Sequence, residues 1–142
     1  MLRSLLFPAS PGFRPSLGLL GLRIVCGAAF MFHGWDKIRH PFSWMGPDSG
    51  MPGILQALAA VSEFGGGAAW ILGALVPFAS FGLACTMAVA AWRHFSAGQP
   101  FVGRGGSYEL ATVYLSVAVL LLLAGPGMFS LDALFRRKGD GK

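Results

Sequence analysis

Four long apolar stretches, separated by segments rich in glycine, proline or polar residues, dominate the hydrophobicity pattern of the chain. They cover residues 17–34, 54–76, 78–92 and 110–125. Each is close to the roughly 20 residues that a helix needs to cross a hydrocarbon core of about 30 Å. Because the stretches do not alternate between polar and apolar positions, they do not fit the strands of a membrane barrel. The pattern predicts an all-α membrane protein, a bundle of four transmembrane helices.

The composition agrees with this prediction. Charged residues make up 12% of the 142 residues and apolar residues 54%, whereas about 25% of the residues of a globular protein are charged. A soluble domain of this size has too much surface to cover with so few charges. The formal net charge is +5, but the basic residues flank the apolar stretches and form no single patch. We therefore expect the lipid bilayer as a partner and no nucleic acid.

The distribution of Lys and Arg predicts the orientation of the chain. The transmembrane domain, residues 17–134, follows a proline-containing lead at 1–16 that we expect to be irregular, and it precedes a basic tail at 135–142. The two terminal segments carry six basic residues, and the connections on the opposite side carry four. Since cytoplasmic loops carry the excess of Lys and Arg, both termini are predicted to be cytoplasmic.

Glycine and other small residues recur at four-residue spacing in the second stretch, at Gly65, Ala69 and Gly73. Small residues at this spacing allow the backbones of membrane helices to approach closely. We therefore expect this stripe to be a packing face of the second helix.

Arg23 is the basic residue inside the first apolar stretch. At 1.5 Å per residue it lies about 9 Å above Leu17. Because an arginine side chain can extend its charged group to the membrane surface, we expect Arg23 to reach the cytoplasmic headgroups.

Ionisable residues converge on the predicted outer half of the bundle. His33 lies about 24 Å above the start of the first helix, and His94 lies at a similar height on the third. Glu63 lies inside the second helix, and Glu109 begins a polar stripe on the fourth that we expect to face inward. An ionisable group in a membrane is costly and indicates a functional site by default. The predicted site comprises His33, Lys37, Glu63, His94, Arg104, Tyr108 and Glu109.

Three kinds of chemistry suit this set of residues. The two histidines and two carboxylates, His33, His94, Glu63 and Glu109, are acceptable ligands for a zinc, copper or iron ion. The same groups can bind the carbonyl oxygens of a quinone and relay its protons, since histidine titrates near neutral pH. Alternatively, ion pairs such as Glu63 with Lys37 only fix the register of the helices. The residues alone leave these three alternatives open.

Several short motifs, taken together in order and spacing, resemble the DoxX family. The segment from His33 to Lys37 is similar to the H-G-x-x-K signature of that family. The resemblance covers about residues 17–134. The supporting segments are Ser62-Glu63-Phe64-Gly65-Gly66, His94, Gly105-Gly106-Ser107-Tyr108-Glu109, Gly125-Pro126-Gly127 and Ser130-Leu131-Asp132.

The resemblance implies a small four-helix protein of the bacterial inner membrane that accompanies quinone chemistry. It predicts an integral membrane subunit of a quinone-coupled oxidoreductase system, with a partner membrane or redox protein, and a homo-oligomer is compatible with it. The family's histidine and glutamate positions correspond to His33, Glu63, His94 and Glu109, and these are the predicted catalytic residues. Lys37, Arg104 and Tyr108 are predicted to bind the cofactor. The alternatives are a metal-handling membrane protein and a structural assembly partner.

Overall fold

All regular structure in the described part of the chain is helical. The computed structural model describes residues 11–139, with side chains through residue 136. The helices are α1 (Phe13–Arg39), α2 (Gly53–Leu72), α3 (Val76–Ser96), α4 (Glu109–Ala124) and α5 (Leu131–Gly139), and a 3-10 turn covers Pro47–Ser49. The predicted all-α class is confirmed.

Three of the helices are long and apolar enough to cross a membrane. These are α1, α2 and α3, with 27, 20 and 21 residues. The fourth predicted span corresponds to α4, which is apolar but has only 16 residues, just below the usual range of about 17–25. By length and composition, the structure therefore supports three spans and a shorter apolar helix.

The ends of the helices differ from the predicted boundaries at both termini. α1 begins at Phe13 rather than at Leu17. Pro15 is tolerated in its first turn, because the N–H groups of the first turn make no hydrogen bond within the helix and proline therefore removes none. At the other end, α5 includes the first residues of the predicted basic tail. The remainder of the predicted lead, residues 1–10, and residues 140–142 of the tail lie outside the described residues.

A tight turn joins α2 to α3 and is held by the C-terminal segment. Gly73 and Leu75 both have positive φ angles, 67° and 52°. The carboxylate of Asp132 accepts hydrogen bonds from the backbone N–H groups of Leu75 at 2.8 Å and Val76 at 2.9 Å. These are donors that the first turn of a helix leaves unpaired. Asp132 therefore caps α3 and fixes the strained residue before it.

Two glycines bring the backbones of α1 and α2 into direct contact. A Cβ atom added to Gly27 would lie 2.7 Å from the carbonyl oxygen of Gly67, and one added to Gly67 would lie 2.6 Å from the carbonyl oxygen of Gly27. The predicted packing stripe is therefore wrong: a Cβ at Gly65 would meet nothing nearer than 4.0 Å, and Gly73 lies in the turn. Small residues do allow the two helices to approach closely, but the small residue of α2 at the contact is Gly67, which lies on a different face from Gly65 and Ala69.

Arg23 does not extend to the membrane surface; it is only 1% exposed. Its guanidinium donates hydrogen bonds to the backbone carbonyls of Trp70 at 2.8 Å and Phe129 at 3.0 Å, to that of Ile71 at 3.4 Å, and to that of Pro126. The fork of five N–H donors suits such a set of acceptors. The prediction that Arg23 reaches the cytoplasmic headgroups is therefore wrong. The carbonyls at the end of α2 and after α4 provide acceptors for its guanidinium inside the protein.

A small aromatic core supports the site described below. Phe30 of α1 packs edge-on against Trp70 of α2, with ring centroids 5.4 Å apart. The indole N–H of Trp70 donates a hydrogen bond to the hydroxyl of Ser80 in α3 at 3.0 Å. Phe30 also contacts the ring of Tyr114 in α4 at 4.7 Å. Phe30, Trp70, Ser80 and Tyr114 thus connect all four helices, and Phe30 and Tyr114 also line the cavity described below.

We predict that Gly67→Ala destabilises the protein by about 1–3 kcal/mol, because the added methyl group would overlap the backbone of α1. Gly65→Ala is the matched control, since its methyl group would lie 4.0 Å from the nearest atom, an ordinary van der Waals distance, and a helix gains about 0.5–1 kcal/mol when alanine replaces glycine. Thermal unfolding of both variants in detergent would measure the difference. Equal melting temperatures for the two variants would contradict the assigned contact face.

Candidate functional site

A cavity of about 350 Å³ lies between α1, α3 and α4, near the ends of α1 and α3 and the start of α4. Phe30 and Met87 provide apolar parts of its wall, and the glycine-containing connection before α4 closes one side. We call it the polar cavity, because six residues with polar or ionisable side chains line it. They are His33, Lys37, Glu63, His94, Ser107 and Tyr114.

The polar cavity brings together four of the seven residues predicted from the sequence. His33 and Lys37 come from α1, Glu63 from α2 and His94 from α3. His33 is exposed, whereas Glu63 is buried. The structure thus places these side chains around one space, as the polar stripes on the helices indicated.

The other three predicted residues do not line the polar cavity. Arg104 is exposed in the connection between α3 and α4. The ring of Tyr108 packs instead against the rings of Phe95 and Phe101, with centroid distances of 5.8 and 5.2 Å. Glu109 is the exposed first residue of α4, where its carboxylate complements the positive end of the helix dipole.

α4 presents a different face to the cavity from the one expected. Ala111 and Tyr114 line it, whereas the polar stripe that begins at Glu109 does not. The hydroxyls of Thr112 and Ser116 in that stripe donate to backbone carbonyls one turn earlier, at 2.7 and 2.9 Å. Because these hydroxyls are satisfied within their own helix, they had no need to face inward. The signal that could have identified Tyr114 is its ring hydroxyl, which cannot be satisfied by its own helix backbone as those of Thr112 and Ser116 are and which usually has a hydrogen-bond partner when buried.

An ion pair with a buried carboxylate and a partly exposed ammonium joins α1 and α2 at the wall of the cavity. The Nζ atom of Lys37 lies 2.7 and 2.6 Å from the two carboxylate oxygens of Glu63, and Glu63 is 3% exposed. The pair forms where the helices touch, because a Cβ atom on Gly34 would lie 2.6 Å from the backbone nitrogen of Phe64. A buried charge needs such a partner, since desolvation is expensive.

The connection between α1 and α2 folds back over this ion pair. The ring of Trp44 lies with its centroid 4.6 Å from the ammonium of Lys37, a distance typical of a cation–π contact. Gln56 holds the connection: its backbone carbonyl accepts from the indole N–H of Trp44, and its side chain bonds the backbones of Met45 and Met51. Gln56 and Glu63 are both buried, as their seven-residue spacing on one helix face predicted.

His94 is oriented by a residue that the sequence did not indicate. Its Nδ1 atom lies 2.5 Å from the amide oxygen Oε1 of Gln99. Because an amide oxygen only accepts, Nδ1 donates in this hydrogen bond and Nε2 is left to accept a proton. The side chain of Gln99 lies where a side chain at Gly106 would be, so the glycine makes room for this contact.

The structure does not gather the predicted metal candidates into one ligand set. Within residues 11–139, no group of three or more His, Cys, Asp or Glu residues lies close enough together to hold a metal ion. Of the four candidates, His33, Glu63 and His94 share the polar cavity, and Glu109 lies outside it.

Comparison with known proteins places the chain among membrane proteins. A family model described as DoxX matches residues 18–96. The chain is 30% identical over 129 residues to inner membrane protein YqjF of Escherichia coli (strain K12), an alignment that covers 86% of this chain and 95% of that protein. No solved structure matches the chain significantly.

We predict that Lys37→Met destabilises the protein, because it leaves the Glu63 carboxylate buried without its partner. The loss should lie near the lower end of about 3–5 kcal/mol, because the Lys37 side chain is one quarter exposed. The double variant Lys37→Met, Glu63→Leu should recover most of this loss, since an apolar pair of similar volume has no charge to desolvate. Denaturant unfolding in detergent would measure both values, with Arg39→Met as an exposed control on the same helix. A double variant less stable than Lys37→Met would contradict this energetic account.

Proposed function

This chain belongs to the DoxX family of membrane proteins, and on that premise we propose that it is an integral membrane subunit of a quinone-coupled oxidoreductase system. It is a multi-pass protein of the bacterial-type inner membrane, the membrane named for its E. coli relative. The proposal includes a partner membrane or redox protein that exchanges electrons with the quinone. The basic residues favour cytoplasmic termini, and a C-terminal reporter that is active in the periplasm would contradict that orientation.

The polar cavity is the observation that carries the proposal. Its volume of about 350 Å³ lies in the range of about 300–1,000 Å³ that is usual for small-molecule sites, and such sites combine apolar walls with a few polar groups. A quinone head is a flat ring with carbonyl oxygens on opposite sides. His33 and Tyr114 offer donors for those oxygens, the free Nε2 of His94 can take up a proton beside them, and Phe30 and Met87 offer apolar surface for the ring. A bound quinone would supply two-electron, two-proton redox chemistry.

In this proposal the side chains around the cavity have different roles in binding the quinone and in transferring its protons. The Nε2 atom of His94 is the proton acceptor, because Gln99 fixes the opposite ring nitrogen. His33, exposed at the cavity, exchanges protons with the surroundings. The ammonium of Lys37 pairs with the Glu63 carboxylate. Glu63 can therefore stay ionised beside the cavity without the cost of a buried unpaired charge.

Two matched tyrosine substitutions test the assignment. Tyr114→Phe removes the hydroxyl at the polar cavity and should weaken binding of a short-chain ubiquinone analogue about fivefold to tenfold, the loss expected for one hydrogen bond. Tyr108→Phe should leave binding unchanged, because that ring packs against Phe95 and Phe101 outside the cavity. Binding to the protein in lipid nanodiscs would be measured by calorimetry.

His94→Gln and native purification extend the same test. His94→Gln should slow quinone reduction by a coupled partner, because it removes the ring nitrogen that Gln99 orients toward the cavity as a proton acceptor. Native purification followed by solvent extraction should yield a quinone in proportion to protein. No binding of the analogue to the wild-type protein, or equal losses in Tyr114→Phe and Tyr108→Phe, would exclude the polar cavity as the quinone site.

A further inference from the structure

A second and larger cavity lies on the other side of the ion pair. Its volume is about 450 Å³, and it runs between α2 and α3 beneath the connection of residues 40–52. It adjoins the polar cavity, since Lys37, Glu63 and Ala90 line both. We call it the lateral groove, because Leu58, Phe81 and other residues along it are exposed on the outer surface of the helices.

The body of the lateral groove offers a ligand almost no hydrogen bonds. Leu55, Leu58, Phe81 and Val89 form much of its wall. The hydroxyl of Thr86 also lines the groove, but it donates to a backbone carbonyl of its own helix at 3.0 Å. A wall of this kind suits a hydrocarbon chain, which gains from contact and requires no polar partner.

The end of the groove near the connection carries one uncompensated positive charge. Arg93, exposed in the last turn of α3, lines the groove there, and its guanidinium contacts the neutral sulfur of Met45 at 3.7 Å. No carboxylate of the described residues pairs with it. The ammonium of Lys37 nearby is neutralised by Glu63. This end of the groove therefore favours an anionic group over a neutral one.

We propose that the lateral groove binds an anionic phospholipid, with one acyl chain between α2 and α3 and the phosphate at Arg93. The apolar wall accounts for the chain, the opening between the helices allows entry from the bilayer, and the charge of Arg93 accounts for the anionic headgroup. This site is distinct from the proposed quinone site and does not depend on it. The lipid covers the outer side of the wall formed by Lys37 and Glu63.

Native mass spectrometry of the full chain tests the headgroup. The protein would be released from nanodiscs that contain equal parts of phosphatidylglycerol and phosphatidylcholine, and the ratio of the two bound lipids measured. Arg93→Gln should lower the ratio of bound phosphatidylglycerol to phosphatidylcholine about fivefold, the contribution of one basic residue toward an anionic lipid. Arg39→Gln is the control, because Arg39 is an exposed arginine at the same end of the bundle that does not line the groove.

A second pair of variants tests the chain-binding part. Val89 and Val113 are both 51% exposed, but only Val89 lines the groove. Val89→Trp should fill the space and reduce phosphatidylglycerol binding, whereas Val113→Trp should not. A phosphatidylglycerol that carries a diazirine in its acyl chain should crosslink to α3 near Phe81 and Val89 in the wild-type protein, and this labelling should fall in Val89→Trp.

Three results would overturn the proposal. An unchanged lipid ratio in Arg93→Gln would show that this charge does not select the headgroup. Equal lipid binding in Val89→Trp and Val113→Trp would show that the groove holds no chain. A loss of quinone binding in Val89→Trp, with phosphatidylglycerol binding intact, would assign the groove to the chain of a quinone. Because the lipid assay contains no quinone, failure of the proposed quinone function would leave its result unaffected.

Discussion

The direct contact between the backbones of α1 and α2 is the constraint from which the rest of the site follows. Gly27 faces Gly67, and Gly34 faces the backbone of Phe64, so that no side chain separates the helices along this line. Lys37 lies one turn beyond Gly34 and meets Glu63 at hydrogen-bond distance. A side chain at any of these glycines would push the helices apart and lengthen a contact that depends on tenths of an ångström.

The ion pair formed by this contact is unusual in what surrounds it. It has a polar cavity on one side, an apolar groove on the other, and the ring of Trp44 near the ammonium. Two opposite charges held at 2.6 Å cancel much of each other's field at a distance, which reduces the cost of keeping them in an apolar bundle. A wall of this kind separates two chemically different spaces and adds no net charge to either.

The fold and four of the six polar residues that line the polar cavity could be predicted from the sequence. The physical reasons for this success also explain which residues were missed. Apolar stretches of sufficient length predicted the helices, and the spacing and depth of Lys37, Glu63 and His94 predicted that they meet, because an ionisable group in lipid must face inward. Glu109 was misplaced because hydroxyls of its stripe bond their own helix. The contact of Gln99 with His94 could not be predicted, because Gln99 lies in the connection between α3 and α4, where no helical spacing indicates the direction of a side chain.

The hydrogen bonds of Arg23 have a consequence for the order in which the protein is assembled. Two of its acceptors, the carbonyls of Pro126 and Phe129, come 103 and 106 residues later in the chain. During synthesis the first helix therefore enters the bilayer with an arginine whose partners do not yet exist, at an insertion cost of about 2.5–3.5 kcal/mol near the membrane centre. The carbonyls of Trp70 and Ile71 become available once α2 is made, but the full set of acceptors is complete only after residue 129 has been added.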